Sequence, residues 1–116
     1  ALWKVALGAE GAAAKPALLA QNALLEGADG LAIDRHGDIW VAVNELNAIV
    51  KVTPAGQVQQ VARNGVAGPL EFPSGLVFVG GAAYVSNFDT PRRDNLDAGA
   101  NTARGGIGAS VARLGG

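Results

Sequence analysis

The stretch Gly27 to Ala62, GADGLAIDRHGDIWVAVNELNAIVKVTPAGQVQQVA, decides how this chain is read. It holds four short apolar runs, and a turn signal stands at every junction. DRHGD at Asp34 to Asp38 reads as a hairpin connection: Gly37 accepts a positive φ and Asp34 bonds locally. TPAGQ at Thr53 to Gln57 places Pro54 where φ is fixed and Gly56 where φ turns positive. The apolar run IWVAV is continuous rather than alternating, as expected of a strand packed on both faces.

Working outward, the same pattern recurs on both sides. GLAID at Gly30 to Asp34 aligns with GLVFV at Gly75 to Val79, and IWVAV with AYVSN at Ala83 to Asn87. IVKV at Ile49 to Val52 has partners in LWKV at Leu2 to Val5 and VARL at Val111 to Leu114. VGG at Val79 to Gly81 fills the hairpin slot of DRHGD. The period is about 45 residues, which fits a four-stranded propeller blade.

The expected fold is therefore all-β: a partial β-propeller of about two to two and a half blades. Labelled A to D from the centre outward, Leu2 to Leu7 is a C strand and Ala17 to Ala20 a short D strand. Gly30 to Asp34, Asp38 to Val43, Ile49 to Val52 and Gln57 to Ala62 complete one blade. Gly75 to Val79, Ala82 to Asn87 and Ala109 to Leu114 are A, B and C of the next. The whole chain, 1–116, is one partial domain: 1–26 end a blade, 27–62 form a blade, and 63–116 carry the next with a long loop at 87–108. A rival helical reading exists for the Ala- and Leu-rich Ala12 to Leu25, limited at its start by Pro16.

Composition narrows the function classes. A net charge of −1 gives no general attraction to nucleic acid or anionic lipid. Arg92 and Arg93 are offset by Asp89 and Asp94. Without cysteine there are no disulfides, Cys-based zinc sites or thiol chemistry within the chain. No apolar run is long enough to span a bilayer, no signal peptide is visible, and no compartment is indicated. A chain without an initiator methionine that opens inside a strand pattern reads as a fragment or a trimmed domain.

Strand direction assigns residues to faces. In an up-and-down blade the D-to-A and B-to-C connections share one face, and the hairpins share the other. Asp29, just before strand A, falls on the first face near the channel, with Ser74 in the equivalent place of the next blade. Asn44, Glu45, Asn47, Asn87 and Asp89 follow on that face. Asp29 is the candidate site residue: a carboxylate there can bind a hard cation such as Ca2+ or Mg2+, or serve as a general base. The plain alternative is that it shapes the turn before Gly30. His36, the single histidine, reads as an exposed hairpin residue on the opposite face. Ser74 and Ser86 lack a nucleophile motif such as GxSxG. Trp3, Trp40 and Tyr84 read as packing between blades. The glycine clusters GAEG and GGIG lack the strand-to-helix context of a phosphate loop.

ADGLAIDRHGDIWVAV followed by AIVKVTPAGQV resembles the repeat PDGLAVDxxGNLWVA…xVxRxxPxG of the gluconolactonase-like family, the senescence-marker or regucalcin type. FPSGLVFVGGAAYVSNF resembles the blade that follows. The resemblance implies a six-bladed propeller with one divalent cation at the channel mouth. Ca2+ is the first choice, with Mg2+, Zn2+ or Mn2+ as alternatives. It implies that Asp29, matching the Asp of PDG, is both metal ligand and catalytic base. Ala28 stands where the family has proline, and the family's Glu and Asn ligands would lie in other blades. The function implied is the C-terminal part of a metal-dependent sugar-lactone hydrolase acting on a lactone or sugar-like ligand. It implies no nucleic acid and no membrane, and further blades or self-association to close the ring. The alternatives are a non-catalytic NHL-like propeller that binds a protein or small ligand at the same mouth, or an incomplete chain without independent activity.

Overall fold

The computed structural model describes residues 1–65, 68–88 and 109–115. Most of the long loop at 87–108 thus lies outside the described residues, as do Arg92, Arg93, Asp89 and Asp94. Among the described residues nine strands form three antiparallel sheets. The first pairs β1 (Leu2–Lys4) with β2 (Ala17–Ala20). The second runs in the order β3 (Ala28–Ile33), β4 (Ile39–Val43), β5 (Ala48–Val52) and β6 (Val58–Arg63). The third joins β7 (Pro73–Val79), β8 (Ala82–Asn87) and β9 (Ser110–Leu114). Every strand read from the sequence is present, with its ends moved by a few residues at most in all but the first.

The largest shift is at the start. β1 ends at Lys4 rather than Leu7. Beyond it the chain continues as an irregular hairpin, with an isolated bridge between Leu7 and Ala13 and a 3-10 turn at Ala9–Gly11. Ala12 to Leu25 does not become an α-helix. Ala17–Ala20 pairs with β1, and Ala23–Leu25 makes one 3-10 turn capped by the Asn22 side chain, which accepts from the Leu24 amide at 2.9 Å. Burial of Ala20 and Leu25 against the second sheet overrides the helix preference of alanine and leucine.

The hairpins form as their turn residues dictate. Gly37 and Gly56 both take φ +86°, and Gly80 and Gly81 take +56° and +83°. Asp34 Oδ1 accepts from the amides of His36 at 2.8 Å and Asp38 at 3.0 Å.

The continuous apolar run of β4 has a clear cause. Val41, Val43, Val50 and Val52 pack toward Leu2, Ala20 and Leu25. Ala42 and Ile49 pack the other way, on Leu70, Val85 and Ala112, with Trp40 at their edge. The central sheet is thus sandwiched between its neighbours, and alternate residues serve different cores. Trp40 meets Phe78 edge to face, centroids 5.4 Å apart, across the second of these interfaces. Trp3, by contrast, is 61% exposed and packs between no described blades.

The innermost strands approach most closely at Gly30. A Cβ there would run into the Ser74 carbonyl oxygen and lie 2.7 Å from the Gly75 Cα. Only glycine lets β3 and β7 meet at this point, and that meeting positions the candidate site.

Candidate functional site at the rim of the inner strands

Asp29 does not precede strand A, as the sequence spacing suggested; it lies within it. Ala28 pairs with Val43 and Leu31 with Val41, so Asp29 and Gly30 together oppose Ala42. This is a β-bulge, a device that re-aims side chains and is over-represented beside active sites. The next blade repeats it: Pro73 pairs with Asn87 and Gly75 with Ser86, which leaves Ser74 as the extra residue. Asp29 and Ser74 therefore hold equivalent places on neighbouring inner strands, as read from the sequence.

Asp29 is exposed, and Asn44 Nδ2 donates to its Oδ2 at 3.3 Å. Asn44 opens the 3-10 turn Asn44–Leu46 that follows β4. Its amide donates to the Gly27 carbonyl at 3.0 Å. Gly27, at φ +78°, makes room for it, since a Cβ would stand 2.7 Å from Asn44 Oδ1 and strike Glu45. On the neighbouring sheet the Ser74 and Ser86 hydroxyls lie 3.0 Å apart. The Ser74 hydroxyl also reaches the Ser86 carbonyl at 3.3 Å, and the Ser86 hydroxyl the Gly75 carbonyl at 3.4 Å. Asp29, Asn44, Ser74 and Ser86 bring a carboxylate, a carboxamide and two hydroxyls to the inner strands, with Glu45 following Asn44 in the same turn, a set suited to accepting a proton and to hydrogen-bonding a polyhydroxylated ligand.

Two asparagines expected on this face are turned inward. Asn47 is buried in the left-handed conformation, φ +47°, and its Oδ1 accepts from the Phe72 amide at 2.8 Å. Asn87 is buried as well: its Oδ1 accepts from the Glu71 amide at 3.1 Å, and its Nδ2 donates to the Pro69 carbonyl and to Ser110 Oγ. Asn64, which the sequence reading passed over, completes the set. It accepts from the Leu70 amide at 3.0 Å and donates to the Leu70 carbonyl at 2.6 Å. Three asparagines thereby hold the connection into β7 and fix the height at which Ser74 stands. Their signal in the sequence is the placement of each at a strand end, where asparagine satisfies orphan backbone groups.

His36 sits in the hairpin Asp34–Asp38, exposed, as expected. The Asp34 carboxyl there is lowered from its ordinary value of 3.8, chiefly by the Trp40 indole N–H, which donates to Oδ2 at 2.8 Å. Desolvation opposes that effect, while the His36 and Asp38 amides add to it.

With the bulged Asp29 and its neighbours placed, comparison with known proteins assigns the chain. A family model of the SMP-30/Gluconolactonase/LRE-like region matches residues 1–86. The chain belongs to this family. The match covers Asp29, Asn44, Ser74 and Ser86, and the three sheets are an unclosed part of the family's β-propeller. No curated protein and no solved structure gives a match.

Members of the SMP-30/gluconolactonase family are commonly metal-dependent. Among the described residues no three His, Cys, Asp or Glu side chains come together. Asp29 and Glu45 are the carboxylates of this face, and Asn44, Ser74 and Ser86 add neutral oxygens, whereas Ca2+ takes about six to eight oxygen ligands, carboxylates prominent among them. The described residues do not by themselves fit a divalent cation.

Proposed function

We propose that this chain forms part of a sugar-lactone hydrolase in which Asp29 is the general base. The observation that supports this most is the bulge that carries Asp29, repeated at Ser74 on the neighbouring inner strand, within the stretch matched to the family. In this reading a water oxygen bonds to the lactone carbonyl carbon while Asp29 takes the water's proton. The ring carbon–oxygen bond then breaks, the proton passes to the departing ring oxygen, and an open-chain hydroxy acid leaves. Asn44 keeps one Asp29 oxygen occupied, which leaves the other for water. Ser74 and Ser86 hold sugar hydroxyls. A divalent cation, Ca2+ before Mg2+, Zn2+ or Mn2+, enters through the family, with its further ligands outside the described residues. Additional blades or further copies of the chain would cover the sheet faces. Neither nucleic acid nor a membrane enters this reading.

A second reading keeps the rim and drops the chemistry: a non-catalytic propeller that binds a small ligand or a protein at the same mouth. It draws on the lack of any cluster of three metal-ligating side chains among the described residues. Proton release from gluconolactone, followed with and without Ca2+, separates the two. Hydrolysis above the spontaneous rate is expected of the enzyme. Binding of gluconic acid at the rim without hydrolysis would replace it by the binding module, and neither would leave the chain without an activity of its own.

A further inference from the structure

A concave site lies on the opposite face, between the central and third sheets. It is a groove of about 450 Å³, within the roughly 300–1,000 Å³ of small-molecule sites. Its walls are Trp40, Phe78, Ala83 and Leu114, and its mouth is framed by Arg35 and the Gly80–Gly81 turn. We propose that this groove binds a small aromatic or alicyclic carboxylate, independently of any activity at the Asp29 rim.

The walls are set before a ligand arrives. The Trp40 indole N–H is committed to Asp34 at 2.8 Å, which fixes the ring and removes its one donor from the groove. Phe78 meets it at an interplanar angle of 81°, so a flat apolar body finds one ring face and one ring edge. Gly80 and Gly81 keep the mouth clear: a Cβ at either would meet nothing within 4 Å, so the space beside them is open.

The mouth carries both signs, the Asp34 carboxylate and the Arg35 guanidinium, but Asp34 is engaged by the hairpin and the indole. Both Asp34 oxygens already accept hydrogen bonds, from His36, Asp38 and Trp40. Arg35 is exposed, and its Nε donates to His36 Nε2 at 3.2 Å. That contact orients the guanidinium and leaves its terminal nitrogens for a ligand. Lys51 pairs with Asp38, and among the described residues no carboxylate forms an ion pair with Arg35. A guanidinium with two parallel N–H groups selects a planar carboxylate over a hydroxyl.

The test is an NMR titration of the full chain with phenylacetate, and with 2-phenylethanol as its neutral counterpart. The chain has two tryptophans, so the Trp3 indole serves as an internal control on a different sheet. The Trp40 indole and the Gly80 and Gly81 amides should shift saturably with phenylacetate while the Trp3 indole stays still. Arg35→Gln lies on an exposed hairpin and should preserve the spectrum elsewhere. It should weaken phenylacetate about fivefold or more and leave 2-phenylethanol within about twofold. Non-saturable shifts, equal movement of Trp3, or an unchanged affinity in Arg35→Gln would overturn the proposal.

Discussion

Asp34 shows how much one side chain can organise. Its two oxygens close the hairpin through the His36 and Asp38 amides and hold the Trp40 indole against Phe78. Because these donors favour the charged form, its folded pKa lies below 3.8. The sign follows: the stabilisation is present above the unfolded value and is lost as pH falls through the lower folded one. Urea midpoints should therefore fall below about pH 4 in the wild type. Asp34→Ala should start lower at neutral pH and show a shallower acid decline. The buried Asn87 makes a complementary case. Asn87→Ala removes partners from Glu71, Pro69 and Ser110, and chemical denaturation should report a loss of about 2 kcal/mol. Asp29 drew attention at this scale through its place directly before the Gly30–Leu31 pair. The inward turn of Asn47 and Asn87 was not legible: residue type and face do not tell whether an asparagine serves solvent or an orphan amide.

At the scale of elements, two glycines separate crowding from conformation. Gly37 takes φ +86°, and a Cβ there would meet only Pro54 Cγ, at 3.7 Å. Gly30 has no positive φ, and a Cβ there would collide with the Ser74–Gly75 backbone. Gly37→Ala should cost about 1 kcal/mol from strain alone. Gly30→Ala should cost more, about 2–3 kcal/mol, because β3 and β7 must move apart. Denaturant unfolding of the two variants checks the order. The strands themselves were legible because their turn residues allow few alternatives: DRHGD, TPAGQ and VGG each close a hairpin where read. The bulges at Asp29 and Ser74 were not, since an extra residue in one strand shows only once the partner's register is known. The N-terminal hairpin was the hardest element. Its alanines and leucines carry no period-2 pattern, and only the burial of Ala20 and Leu25 against the next sheet settles their conformation.

For the whole molecule, the buried strands β4 and β5 of the central sheet contrast with the flanks. Trp3, Val5, Leu7 and Leu18 on one side and Val77, Val79 and Val111 on the other are exposed. The radius of gyration, 15.7 Å, exceeds the roughly 13 Å of a compact domain of about this length. Exposed apolar surface of this kind drives association. Sedimentation should show a mass that rises with concentration. Leu18→Lys, opposite Trp3 in the first sheet, should reduce that rise without unfolding the central sheet. The architecture could be read from the sequence because each blade repeats a local grammar. The rim could be read only in part, because it is assembled from residues brought together by bulges and buried amides.

The decisive comparison is kcat for gluconolactone hydrolysis by the wild type, Asp29→Asn and Gln59→Ala. Gln59 lies exposed on the outer strand β6, away from the rim. Asp29→Asn should lower kcat about 100-fold or more, the scale of a lost general base, with KM little changed. Gln59→Ala should stay within about twofold. Equal rates in the wild type and Asp29→Asn, or no hydrolysis above background in any of them, would contradict the assignment of Asp29 as the base of a lactone hydrolase.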